Sequence, residues 1–169
     1  YDSWYKEPVP TEKATDNNYT ETLSWELDPD GVLWIKGTGA LPDYEEEPNE
    51  TRPWLEASEE KGIAIKKLVI GDGVTRIGKR CFIKMGDLEE LELADSIKQI
   101  DIAAFSDCHS NIRKVHLPSS LEFLGDYAFN QIGEVEEFSI SDSNEHFKTE
   151  DGVLYDKEIM KLLGTFFIM

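Results

Sequence analysis

Glu92, His116 and Ser139 are the residue types of a hydrolytic triad, spread widely along the chain. In such a triad an imidazole takes the proton of an attacking hydroxyl while a carboxylate holds the second ring nitrogen. Residues this far apart in sequence can meet only if the chain comes back to the same place at a regular step. The chemistry therefore depends on whether the sequence repeats.

It does. Leu68, Ile70, Val74, Ile77, Cys81 and Phe82 fill six slots that recur as Leu91, Leu93, Ile97, Ile100, Ala104 and Phe105, and again as Val115, Leu117, Leu121, Leu124, Ala128 and Phe129. Ile65, Leu88, Ile112 and Val135 lead into successive copies, and Phe138 and Ile140 open a fourth. The second copy carries one extra residue, placed by the slot spacing in the stretch 106–111, which marks that stretch as a loop. A fixed step of 20 to 30 residues is the mark of a solenoid, whose coils bury their apolar faces only by stacking. Each copy opens on an apolar residue alternating with polar ones, the period of a strand with one buried face. The expected fold is a solenoid in the α/β, strand-rich class. It should hold a short parallel sheet of about four strands, one per coil of 23–24 residues, with hairpin caps at both ends.

In that sheet the outward column reads Val69, Glu92, His116, Ser139, so the three candidate residues stand on adjacent strands. A flat exposed sheet has no pocket to exclude water and no helix N-terminus to hold an oxyanion, so a Ser-His-Glu hydrolase is only a remote alternative. The stronger reading keeps Glu92, His116 and Ser139 as polar surface residues and as members of a candidate binding face, with no catalytic residue assigned. In the neighbouring slots Lys66-Lys67, Glu89-Glu90, Arg113-Lys114 and Glu136-Glu137 alternate in sign along the stack. That pattern predicts ion pairs between coils which also set the register.

Among 169 residues there are 17 basic and 35 acidic side chains, a net charge of −18. Phosphate recognition needs Lys and Arg, so nucleic acid is excluded as a partner, and no apolar run reaches the length of about 18 that spans a bilayer. Asp28-x-Asp30-Gly31 and Asp72-Gly73 lack the further carboxylates of a calcium loop, and His109, His116 and His146 lack zinc spacing, so no metal and no cofactor are expected. A monomer is expected.

Residues 1–20 have no apolar period and read as a flexible tail or linker, although Trp4 and Tyr5 offer docking side chains. Leu23, Trp25 and Leu27, then the turn Asp28-Pro-Asp-Gly31, then Leu33 and Ile35 predict a hairpin over 22–37, inside an N-terminal cap of 21–62. Pro53 and Gly62 bracket a short helix within 52–62. The repeats run over 63–141. A variant repeat and C-terminal cap take 142–169, with Gly152-Val-Leu-Tyr155 and Leu162–Met169 as a closing hairpin.

The pattern L-x-I-x-P-x-x-V-x-x-I-G-x-x-A-F, nearest in Leu117-Pro118, Leu124-Gly125 and Ala128-Phe129, resembles the leucine-rich repeats of the BspA-like family of bacterial surface and secreted proteins. Gly37-Thr-Gly-Ala-Leu-Pro-Asp-Tyr44 with Pro53-Trp54 is similar to the segment that often precedes the array. Asn144-x-x-Phe147 with Asp151-Gly-Val-Leu-Tyr155 resembles the family's variant repeat. The resemblance implies a secreted or cell-surface bacterial protein and a non-enzymatic binding or adhesion module for a protein or host-surface ligand. A structural spacer and a carbohydrate-binding module are the alternatives. It also places Cys108 at a slot where the family often has a core cysteine; with Cys81 in the slot of Ala104 and Ala128, two free buried thiols are expected rather than a bridge. Strand period sends Trp34 outward, which makes it the lead candidate for contact with a partner.

Overall fold

The computed structural model describes residues 5–8, 22–45 and 52–158. Before the repeats come strands β1 (Tyr5–Pro8), β2 (Ser24–Leu27), β3 (Val32–Lys36) and β4 (Gly39–Ala40), then helix α1 (Pro53–Lys61). The first coil holds β5 (Lys67–Ile70) and β6 (Val74–Ile77), the second β7 (Glu90–Leu93) and β8 (Gln99–Ile100), the third β9 (Lys114–His116) and β10 (Phe123–Leu124). The fourth opens with β11 (Glu137–Ser139), followed by β12 (Phe147–Glu150) and β13 (Val153–Asp156).

Each coil thus makes two strands where the alternation announced one. The expected strands are present and parallel, with Leu68 beside Leu91, Ile70 beside Leu93 and Val115 beside Phe138. They do not form one continuous sheet. Among the described residues the order β1-β2-β3-β5-β7 ends at β7, and β9 pairs only with β11. In the first two coils Gly71 and Ala94 donate to Ile35 O and Ile70 O at 2.9 and 3.0 Å. The equivalent residue of the third coil is Pro118, which has no N–H to give. The extra residue of 106–111 adds to this, because Asn111 N takes the Leu88 carbonyl just ahead of β9.

The second parallel ladder, β10-β8-β6-β4, is unbroken over those same coils. Two-residue strands are too short to show a period, which is why the sequence hides them. After β6, β8 and β10 the chain takes a positive φ at paired slots: Arg80 and Lys84, Ala103 and Asp107, Tyr127 and Gln131. Alternating left- and right-handed residues aim successive N–H groups to one side. Here that side is the next coil: Arg80, Phe82 and Lys84 donate to Ile102, Ala104 and Ser106, and Ala103, Phe105 and Asp107 donate to Asp126, Ala128 and Asn130.

Inside the coils Trp54, Phe82, Phe105, Phe129 and Phe138 form a file with centroids 5.1, 5.5, 5.4 and 5.6 Å apart, all of them buried. Burying such a side chain contributes about 1.5–3 kcal/mol, so this file is a principal source of cohesion. Cys81 and Cys108 lie beside it, buried and unbridged. Burial pushes the Cys108 thiol up to about 11 and raises that of Cys81 further. Coils approach so closely at Gly125 that a Cβ there would sit 2.4 Å from Ile102 N.

The ends differ from expectation in two places. Tyr5–Pro8, inside the stretch read as a tail, forms a strand antiparallel to β2; the outer edge of the hairpin offers it a row of unpaired backbone groups. The remainder of 1–20, Trp4 included, lies outside the described residues. The C-terminal hairpin pairs β12 with β13, Phe147 opposite Asp156, and so begins earlier than expected, while Leu162–Met169 lies outside the described residues. The N-terminal hairpin pairs β2 with β3, and the helix ends in the left-handed Gly62.

Candidate functional site

On the outer face of the first sheet Glu26, Trp34, Val69 and Glu92 occupy one cross-strand row. His116 and Ser139 form a second row on β9 and β11. The rows flank the break, so the four candidate residues share a face but not a ladder.

His116 Nδ1 and Ser139 Oγ are 2.8 Å apart, the contact a base and a hydroxyl would need. Glu92 does not complete it. Its Oε1 lies 2.6 Å from Lys67 Nζ, and Glu90 approaches the same ammonium at 3.2 Å. Hydrogen bonds to Glu92 and then Glu90 hold the Lys67 pKa above its ordinary value. The carboxylate expected to orient the imidazole is thus committed to the preceding coil. Asp95 accepts from Ser119 N at 2.8 Å, and hydrogen bonding by Ser119 depresses its pKa, with His116 a smaller influence. What remains is a hydroxyl–imidazole pair on an open face, with His116 exposed.

Trp34 faces outward as its period requires, but it is held. Its indole N–H donates to Asp28 Oδ2 at 3.2 Å, and Lys36 Nζ sits 5.4 Å over the ring while pairing with Glu26 at 2.9 Å. Asp28 is itself fixed by the N–H groups of Asp30 and Val32 in the turn. The ring is half-buried, and much of its surface is spent within the hairpin.

The charge ladder is present in two pieces. Lys67 meets Glu90, and Lys114 meets Glu137 at 3.1 Å. Among the described residues no ion pair joins Glu90 to Lys114, the step that spans the break.

A surface that the sequence reading missed lies on the second ladder. Among the described residues the exposed large apolar side chains are Ile102, Phe123 and Tyr127, at 37, 47 and 63% exposure. All three belong to the second and third coils, on β10 or in the turns after β8 and β10. The signal was present in the slots: Phe123 follows Arg76 and Gln99 in an outward column, and Tyr127 follows Arg80 and Ala103. It went unread because no strand was expected there. Beside β10 a groove of about 300 Å³ runs between Ser119–Glu122 and Ser143–His146. Asn144 closes its floor, donating to Ser119 O and Leu121 O at 2.9 and 2.8 Å and accepting from His146 N and Phe147 N.

Residues 60–160 match the family model described as BspA type leucine-rich repeat region (6 copies). No curated protein matches the chain. Among solved structures, a leucine-rich repeat protein from Eubacterium ventriosum aligns at 20% identity and a TM-score of 0.53, over 91% of this chain and 48% of that one. The pneumococcal vaccine antigen PcpA aligns at 25% identity and a TM-score of 0.50, over 59% of this chain and 25% of that one. The chain thus spans less than half the length of either.

Proposed function

The chain belongs to the BspA-type leucine-rich repeat family, and from that premise we propose that it is a non-enzymatic protein-binding module displayed or secreted by a bacterium. The observation that carries this reading is the grouping of Ile102, Phe123 and Tyr127 on neighbouring coils. A spacer has no use for exposed aromatic side chains gathered on one side, whereas partner surfaces are rich in them. The outer face of the first sheet, with Trp34, Glu92, His116 and Ser139, serves as a second, polar contact zone whose His116–Ser139 pair offers hydrogen bonds rather than catalysis. Its distance from catalysis follows from the engagement of Glu92 by Lys67. Display outside the cell is supported by the likeness to a protein described as a vaccine antigen. The described parts of the caps expected at 21–62 and 142–169 serve to cover the first coil and β11.

Surface and matrix extracts of host cells, passed over the immobilised chain, test the reading. Retention of a protein that is lost with Phe123→Ser/Tyr127→Ser, at unchanged melting temperature, is the expected result. Absence of any retained protein would return the chain to the spacer class, and turnover of activated esters dependent on Ser139 would return it to the hydrolases.

A further inference from the structure

The binding-module reading leaves the partner unnamed, and the charges around the face that carries Ile102, Phe123 and Tyr127 narrow the choice. In the turns after β6, β8 and β10 equivalent residues stand side by side on successive coils, since Arg80 N donates to Ile102 O and Ala103 N to Asp126 O. One column there reads Lys79, Ile102, Asp126, and the next reads Arg80, Ala103, Tyr127. Lys84 adds a third base on the first coil, and Glu122 adds a second acid on the third. The coil between them contributes Ile102 and Ala103, and its own charges are matched close by: Lys98 lies 3.9 Å from Glu122, and Asp107 lies 2.9 Å from His109. Lys84 and Asp126 are exposed and Lys79 is half-buried, and among the described residues no ion pair engages any of the three. Three bases at one end of a face stand out in a chain that carries −18.

The face is therefore basic on the first coil, apolar in the middle, and acidic and aromatic on the third, over about 10 Å, or two steps of about 4.8 Å. Its complement has the same three parts in reverse order. A two-fold axis over the second coil produces that reversal from the face itself, because such an axis brings one surface of two copies together with its ends exchanged. We propose that the partner of this face is a second copy of the chain, joined by two Lys79–Asp126 pairs around a centre of Ile102, Phe123 and Tyr127. Each Tyr127 ring then comes against the cations of the other first coil, the arrangement of a cation–π contact. The charge of −18 on each copy opposes the approach. Salt screens that repulsion beyond about 8 Å at physiological strength, whereas pairs in contact are screened less. A face three coils wide is smaller than the roughly 800 Å² per partner of a standard interface, so the dimer is weak. Its consequence is valency: the outer face of the first sheet, with Trp34, belongs to the other ladder and stays free in both copies, so a dimer presents it twice.

This rests on the binding-module reading for the use of the face, and the two can fail separately. Sedimentation equilibrium of the full chain in about 150 mM salt, at concentrations up to about 1 mM, should show monomer and dimer in exchange. Lys79→Glu and Asp126→Lys should each weaken self-association about 10-fold or more, because each sets like charges opposite one another twice. Mixed together, the two single variants should form a heterodimer about as tight as the unaltered dimer, since one pair is then native and the other reversed. That recovery also shows both variants to be folded. An unaltered chain that stays monomeric at about 1 mM, or a mixture that recovers nothing, overturns the proposal. If the chain stays monomeric and host protein is retained through Phe123 and Tyr127, the face takes a foreign partner and the binding-module reading stands. If the heterodimer forms and no host protein is retained, the dimer stands without that reading.

Discussion

The two ends of the coil stack are finished differently, and the direction of the turn ladder explains why. In the turns after β6 and β8 the N–H groups point forward to the next coil and the carbonyls backward. The first coil therefore shows acceptors, and the segment before the repeats is built of donors for them: Leu41 N reaches Arg76 O and Tyr44 N reaches Lys79 O, both at 2.9 Å, and the buried Arg52 gives Nε and Nη2 to Arg80 O at 3.1 and 2.9 Å. Trp54 then closes the aromatic file, edge-on to Trp25 and Tyr44. At the far end the need is for acceptors: Gly152 O takes Phe138 N, and for the turn after β10 none is found among the described residues. A polar ladder makes one end of a solenoid a problem of acceptors and the other a problem of donors; the described residues hold the answer to the first.

Removing the indole that closes the first end should break this contrast most severely. Trp54→Ala deletes a side chain with no exposure at a junction of three other rings, and a cost of about 3–5 kcal/mol is expected in urea unfolding. A loss below about 1 kcal/mol would mean that the helix is an accessory and the first coil stands without it.

Next in size are the two side chains that cap backbone carbonyls, one at each end. Arg52→Ala strips Arg80 O of its donors, and Asn144→Ala strips Ser119 O and Leu121 O. Each should cost about 1–3 kcal/mol, the range for buried polar groups left unmet. Exchange should quicken around residues 76–84 for the first and around 119–124 for the second. Loosening of the whole stack by either one would show that the ends are not separate units.

These contrasts could be read from the sequence only in part. The six slots gave the coil and the first set of strands because large apolar residues recur there, and the charged doublets gave the ion pairs of Lys67 and Lys114. The second ladder escaped because Gln99–Ile100 and Phe123–Leu124 are too short for a period. The turn ladder escaped because positive φ falls on Arg80, Ala103 and Tyr127, residues that carry no turn signature. The break beside β9 was written in Pro118, but Leu117-Pro118 was among the residues that carried the family resemblance, so it read as conformity. Trp34 was placed on the correct face; the Asp28 contact that holds it depends on a turn geometry no spacing rule encodes.

Acid should act on the first end before the far one. Arg76 bridges Asp43 at 2.6 Å and Asp101 at 2.5 Å, tying the segment before the repeats to the first and second coils. Burial works to raise the Asp101 pKa, but the Ile102 N–H and the Arg76 guanidinium outweigh it and hold the carboxyl below its ordinary value. Burial likewise opposes the charge on Arg76, and the bonds to Asp101 and Asp43 overcome it. A carboxyl with a lowered folded pKa stabilises above its unfolded pKa, about 3.9 for Asp, and the gain is lost as pH falls through the folded value. Melting temperature should therefore drop below about pH 4, and less steeply in Asp101→Asn, which has no proton to take up. Equal slopes in the two proteins would remove the bridge from the acid response.

The smallest effect tests the break itself. Exposed ion pairs contribute about 0.2–1 kcal/mol each, and salt weakens them. Glu90 has Lys67 on one side at 3.2 Å and, across the break, Lys114 without a contact. Glu90→Lys should therefore lower the melting temperature slightly at low salt, with the loss shrinking as salt is added. The informative comparison is a pair of double-mutant cycles. Lys67→Glu combined with Glu90→Lys should recover part of what each loses alone, since the swap restores an opposed pair on hydrogen-bonded strands. Glu90→Lys combined with Lys114→Glu should lose the sum of its parts, because no ladder holds those side chains together. Recovery in the second cycle as large as in the first would mean that β7 and β9 close in solution, and the outer face would then be one continuous row from Trp34 to Ser139.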